Sequence, residues 1–72
     1  MNLKLLKSKR VLKNFTQEGI AERLGITCKT YNRKELGITA FTINEVVLLA
    51  ILLELNIKEI NQIFFDNNLP NV

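Results

Sequence analysis

Two threonines stand at the head of two runs of short-helix length, and a glycine separates them: Thr16, Gly25 and Thr27 punctuate TQEGIAERLGITCKTYNRKE, residues 16–35. A threonine before a helix accepts one of the backbone N–H groups that the first turn leaves without a partner. Glycine reaches the left-handed conformation that ends a helix, because it has no β-carbon to clash. The three residues predict a helix from Gln17 to about Leu24, a stop at Gly25 and a helix from Cys28 to about Leu36. So short a junction forces the helices together. Ala21 permits close approach and Ile20, Leu24, Ile26 and Tyr31 supply packing, which is the helix-turn-helix arrangement.

The rest of the chain also reads as helix, with no alternation long enough for a sheet, so the expected class is all-α. A first helix is expected from about Leu3 to Lys13, with Asn2 as cap and Asn14 as a left-handed terminator. After the loop GITAF, Thr42 and Glu45 form a capping box for a fourth helix reaching about Leu55. A fifth is expected over roughly Lys58 to Phe65. A 1–66 domain is then followed by a tail, residues 67–72, holding the single Pro70.

At 72 residues nearly every apolar side chain is needed for one core, which leaves little room for a buried pocket. With no histidine and one cysteine, an internal disulfide and the usual zinc spacings are excluded. There is no convincing acid pair and no glycine-rich phosphate loop, so nothing supports an enzyme, and no cofactor or small-molecule ligand is expected. No secretory signal is visible at the N-terminus. The longest apolar run, VVLLAILL at 46–53, is far too short to cross a bilayer. The expected compartment is the cytoplasm, with no membrane partner. No sensor or cleavage domain is read, so control is expected through competition, partner binding or concentration.

Charge is divided unevenly. Residues 1–35 carry nine of the ten basic groups against three acids, a balance of +6, whereas residues 36–72 carry Lys58 against four acids, a balance of −3. A basic half suits a polyanion, most often nucleic acid. If Tyr31 and Glu35 face inward, Cys28, Lys29, Asn32 and Arg33 face outward. Their chemistry suits base edges: Lys29 or Arg33 donates to guanine, and Asn32 is able to make the paired contact with adenine.

The stretch from LKSKR at Leu6's neighbourhood through FTQEGIAERLGITCKTYNRKELG resembles the Cro and repressor type of helix-turn-helix domain, the Xre family of lambdoid phage repressors and small regulators of bacterial mobile elements. The likeness runs from about Leu6 to Phe65. It rests on Arg10, Thr16 and Gln17, Ala21, Gly25, Ile26, and Glu35 before Gly37; FT at 41–42 and IFF at 63–65 resemble a subgroup from low-GC Gram-positive bacteria and their phages. The resemblance implies a compact five-helix bundle of the lambda-repressor-like type, with the third helix as reader. It implies a homodimer on a near-palindromic double-stranded DNA operator in the bacterial nucleoid.

Residue by residue, the resemblance puts Gln17 on a DNA phosphate, assisted by the N-terminus of the second helix. It puts Cys28, Lys29 and Arg33 at base-reading positions with Asn32 beside them, and makes Arg10 and Glu35 a structural ion pair. Three departures stand out. Gly19 replaces the residue that would complete a capping box with Thr16, the loop LGITAFT lacks a basic residue, and Cys28 is unusual at the head of the reader. Phosphate contacts then fall to backbone N–H groups and to Lys9, Lys13 and Lys34.

The fourth helix is apolar all the way round, which one small core cannot cover. Val47, Ile51, Leu55, Phe64 and Phe65 are therefore expected to face a second copy or another protein. Two functions follow: a DNA-binding transcriptional regulator, or the same fold used as a protein-interaction module of the antitoxin or antirepressor kind.

Overall fold

The computed structural model describes residues 1–69; Pro70 and the rest of the expected tail beyond Leu69 lie outside the described residues. Five helices and no strand occur among the described residues: α1 (Leu3–Leu12), α2 (Gln17–Leu24), α3 (Cys28–Glu35), α4 (Ile43–Leu52) and α5 (Ile57–Phe64). α2 packs on α3, α1 on both α3 and α5, and α4 on α5.

Local chemistry sets every boundary. Asn2, Thr16 and Thr27 accept the backbone N–H three residues on, from Leu5, Gly19 and Thr30. Thr42 with Glu45 forms the expected capping box, and Asn56 with Glu59 forms a second one. Gly25 is left-handed at φ 72°, and Asn14 at φ 63°. α4 stops at Leu52, short of the expected Leu55, because Glu54 turns left-handed at φ 53°.

The core consists of Leu6, Ile20, Ala21, Tyr31, Val46, Leu49, Leu53, Ile63 and Phe64. Phe41, in the loop after α3, meets Tyr31 and Phe64 edge-on, with centroids 6.2 and 5.6 Å away. This corrects one expectation: Phe64 is only 7% exposed and closes the core rather than facing a partner. Residues 67–69 turn back on α5. The Leu69 N–H donates to Asn61 Oδ1 at 3.0 Å and the Asn67 N–H to the Asn61 carbonyl at 3.1 Å, so the chain stays on the bundle past the expected boundary at 66.

Gly19 has a clear energetic signature. At the corresponding place after their caps, Glu45 and Glu59 each accept the cap residue's own N–H, from Thr42 and Asn56, and a glycine has no side chain to do so for Thr16. A β-carbon added at Gly19 meets Thr16 Oγ1 at 3.3 Å. The hydroxyl must yield slightly, as it already does where Thr27 caps Thr30 and Thr42 caps Glu45. Gly19→Glu is expected to stabilise the fold by about 1 kcal/mol, from helix propensity and the completed box; urea denaturation measures it, and an unchanged or lower midpoint contradicts it.

Candidate nucleic-acid interface

The site is anchored by a polar cluster behind α3. Arg10 and Glu35 form a two-pronged ion pair, Nε to Oε2 at 3.0 Å and Nη2 to Oε1 at 3.1 Å, with Arg10 and Glu35 each 7% exposed. Arg10 Nη1 also donates to the Phe15 carbonyl at 2.8 Å, which ties the α1–α2 turn to the same point. The Tyr31 hydroxyl donates to Glu35 Oε2 at 2.6 Å, and Gln17 Nε2 donates to Oε1 at 3.2 Å.

Burial alone would raise the Glu35 carboxyl, but hydrogen bonds from Arg10, Tyr31 and Gln17 outweigh it and hold the group below its ordinary value. Burial and the bond to Glu35 push the Tyr31 phenol well up, so it remains a donor. The structural pair expected from the resemblance is present, joined by Tyr31, one turn ahead of Glu35 on α3, and by Gln17 from α2.

With Tyr31, Lys34 and Glu35 buried, α3 turns its opposite side to solvent. Lys29, Arg33 and Leu36 lie along that side at i, i+4 and i+7 and are exposed, Leu36 by 65%. Asn32 is half-buried on the flank, where its Oδ1 accepts from Gln17 Nε2 at 3.1 Å. Cys28 is also a flanking residue; half of it packs against the core instead of standing free at the head of the helix. The outward face is thus narrower than expected. Lys29 and Arg33 occupy its centre.

The lysines expected on phosphates are engaged elsewhere. Lys34 is buried, its Nζ held 2.8 Å from Glu45 Oε1 and 2.9 Å from the Ala40 carbonyl, so it serves the fold. Burial raises the Glu45 carboxyl, but Lys34 and the Thr42 N–H more than reverse this and leave it below its ordinary value. Lys9 pairs with Glu59 of α5, and Lys13 with Glu54 at 2.5 Å, beyond the end of α4. Both carboxylate partners come from the α4–α5 end of the chain.

Two lysines that sequence reasoning passed over take that position. Lys4 and Lys7 are exposed and, with Leu3, Gln17, Asn32, Glu35 and Leu36, line an open cleft of about 350 Å³ between α1 and the flank of α3. The signal was available: Lys7 and Lys4 fall about one and two turns ahead of Arg10, and Arg10 points at α3. At the start of α2 the Gln17 and Glu18 N–H groups precede the first capped donor, the Gly19 N–H.

A family model described as Helix-turn-helix matches residues 6–60. The chain belongs to the Cro/C1-type helix-turn-helix family, Xre. This family binds double-stranded DNA, and the match spans the whole path from Leu6 of α1 to Ile60 of α5, including the capped pair α2 and α3. No curated protein and no solved structure matches the sequence. Among the described residues no group of His, Cys, Asp or Glu is placed to hold a metal, and no helix is long and apolar enough to cross a membrane.

For an Xre domain with this charge arrangement, salt dependence separates the lysines. Each phosphate neutralised changes the slope of log affinity against log salt by about 0.9. Lys4→Ala and Lys7→Ala are each expected to reduce the slope by about that amount, while Lys9→Ala and Lys13→Ala leave it unchanged. The reverse pattern in a fluorescence-anisotropy salt series would restore the lysines first expected.

Proposed function

We propose that this chain is a sequence-specific transcriptional regulator, a repressor or Cro-like switch of a prophage or other mobile element. It binds a near-palindromic double-stranded operator as a homodimer with α3 in the major groove. The observation that carries this reading is the exposed Lys29–Arg33 side of α3, beside the cleft that Lys4, Lys7 and Gln17, the first residue of α2, line together. Basic side chains at that centre suit guanine O6 and N7. The flanking lysines and the free N–H groups of α2 suit phosphate, which sets register.

The homodimer is supported by the opposite end of the molecule. Val47, Ile51, Leu55 and Phe65, with Ile43, Ala50, Ile57 and Ile60, line an apolar groove of about 420 Å³ between α4 and α5. Ile43, Val47 and Ile51 stand out of it at i, i+4 and i+8, exposed by 69%, 52% and 67%. These residues are the exposed α4 wall of the groove, and a two-fold axis would set one such apolar wall against its copy. The same groove favours the second reading, a protein-interaction module, if its occupant is a different protein.

Selection of random duplexes on the purified protein, followed by sequencing, tests the proposal. An inverted repeat with half-sites about one turn apart supports it; no enrichment at low salt favours the interaction module. On the selected site, Lys29→Ala and Arg33→Ala are each expected to lower discrimination at one base position by about 1–3 kcal/mol. Equal losses on every sequence would remove both from base reading.

A further inference from the structure

The first four helices end in the same kind of turn. A left-handed residue, Asn14, Gly25, Gly37 or Glu54, is followed by an apolar one, and the N–H groups of both donate back to carbonyls of the helix just ended. At three of these ends the apolar residue tucks in: Phe15, Ile26 and Leu55 pack against the core. At the end of α3 it does not. Ile38 is 67% exposed, and Leu36, just before Gly37, is 65% exposed. The Lys34 bond to the Ala40 carbonyl at 2.9 Å fixes this segment, and residues 36–42 include no basic side chain for a phosphate. Two apolar side chains are thus held out in water at the end of the helix whose exposed side already carries Lys29 and Arg33.

We propose that Leu36 reads the C5-methyl group of a pyrimidine in the operator, which is thymine in unmodified DNA. The inference rests on the reading of α3 as the helix in the major groove. Leu36 follows Arg33 by three residues on the same side, about 4.5 Å further along the axis. It therefore reaches a base pair about one or two steps from the one that Arg33 contacts. Base edges in that groove offer an apolar side chain one partner, the thymine methyl group; their other groups are hydrogen-bond donors and acceptors. A leucine satisfies neither, so it tells bases apart by the methyl group alone. 5-Methylcytosine carries the same group on the same carbon. Methylation of a cytosine at this position therefore strengthens binding, and Ile38 extends the apolar surface that receives it.

The experiment starts from duplex selection on wild type and Leu36→Ala, with melting temperatures to verify folding. The position whose thymine preference depends on Leu36 is then filled in turn with thymine, uracil, 5-methylcytosine and cytosine, which makes two pairs of duplexes differing only in a methyl group. Within each pair wild type is expected to bind the methylated duplex about fourfold more tightly, the equivalent of one buried methyl group. Leu36→Ala should bind both members of a pair alike. Equal binding of the paired duplexes by wild type would overturn the inference and leave Leu36 and Ile38 to a protein partner. A methyl preference that survives Leu36→Ala, or a motif with no Leu36-dependent thymine, would overturn it as well. Failure of the wild-type protein to select any motif would instead overturn the groove reading on which the inference rests.

Discussion

Arg10→Met is expected to destabilise the protein by about 3–5 kcal/mol, the cost of leaving a buried charge without its partner. A domain of this kind has about 5–15 kcal/mol in total, so the variant stands close to unfolding at ordinary temperature. The loss exceeds that of a surface ion pair because Glu35 stays behind, 7% exposed, with only the Tyr31 hydroxyl and the Gln17 amide to stabilise its charge. The Arg10 bond to the Phe15 carbonyl goes too, loosening the turn that leads into α2. Adding Glu35→Leu should recover only part, since Tyr31 and Gln17 then lose their acceptor.

The pH dependence gives a second readout. Glu35 and Glu45 both lie below their ordinary values when folded, so the unfolded chain takes up protons first as pH falls. Their stabilisation is whole above the ordinary carboxylate range and is lost as pH drops toward the folded values. In Arg10→Met the Glu35 share of that acid-side loss shrinks, and the limb becomes shallower. Urea denaturation across pH measures both effects, and an unchanged midpoint at neutral pH would mean that the pair carries no net weight.

The second large effect concerns association. Ile51→Asp puts a charge on the apolar ridge of α4, at a residue 67% exposed, so the fold should tolerate it. A second copy should not. Two linked half-site contacts exceed either alone by factors of about 10²–10⁴. The variant is expected to lose on the order of a hundredfold on the full operator while binding an isolated half-site as before. Sedimentation velocity with and without the operator, beside half-site and full-site titrations, checks this. A dimer that survives Ile51→Asp would place the interface elsewhere.

Most of the fold was legible because capping is local. Thr16, Thr27 and Thr42 each name a helix start from three or four consecutive residues, and Gly25 names a stop. The Asn56–Glu59 box carried the same signature and was passed over, which put the start of α5 one residue late. What the sequence could not convey is where lysines go. Lys9 meets Glu59, Lys13 meets Glu54 and Lys34 meets Glu45, partners fixed by how helices pack and not by any spacing along the chain. A charge count marks the basic half but not which of its cations are already neutralised. The place of Phe64 was hidden for a related reason: it ends α5, but the ring that covers it, Phe41, arrives from a loop far away in the chain. Lys4 and Lys7 were the readable exception, given the direction of Arg10.

Lys34 has a mechanical consequence. Its ammonium sits between the Ala40 carbonyl and Glu45, so the segment joining α3 to α4 is pinned at the residue before Phe41 and again in the first turn of α4. A segment clamped in this way is a strut and not a hinge. Whatever seats itself against α4 therefore sets the heading of α3 as well, and in the proposed dimer the distance between the two reader helices would be a dimension built in before any DNA is met.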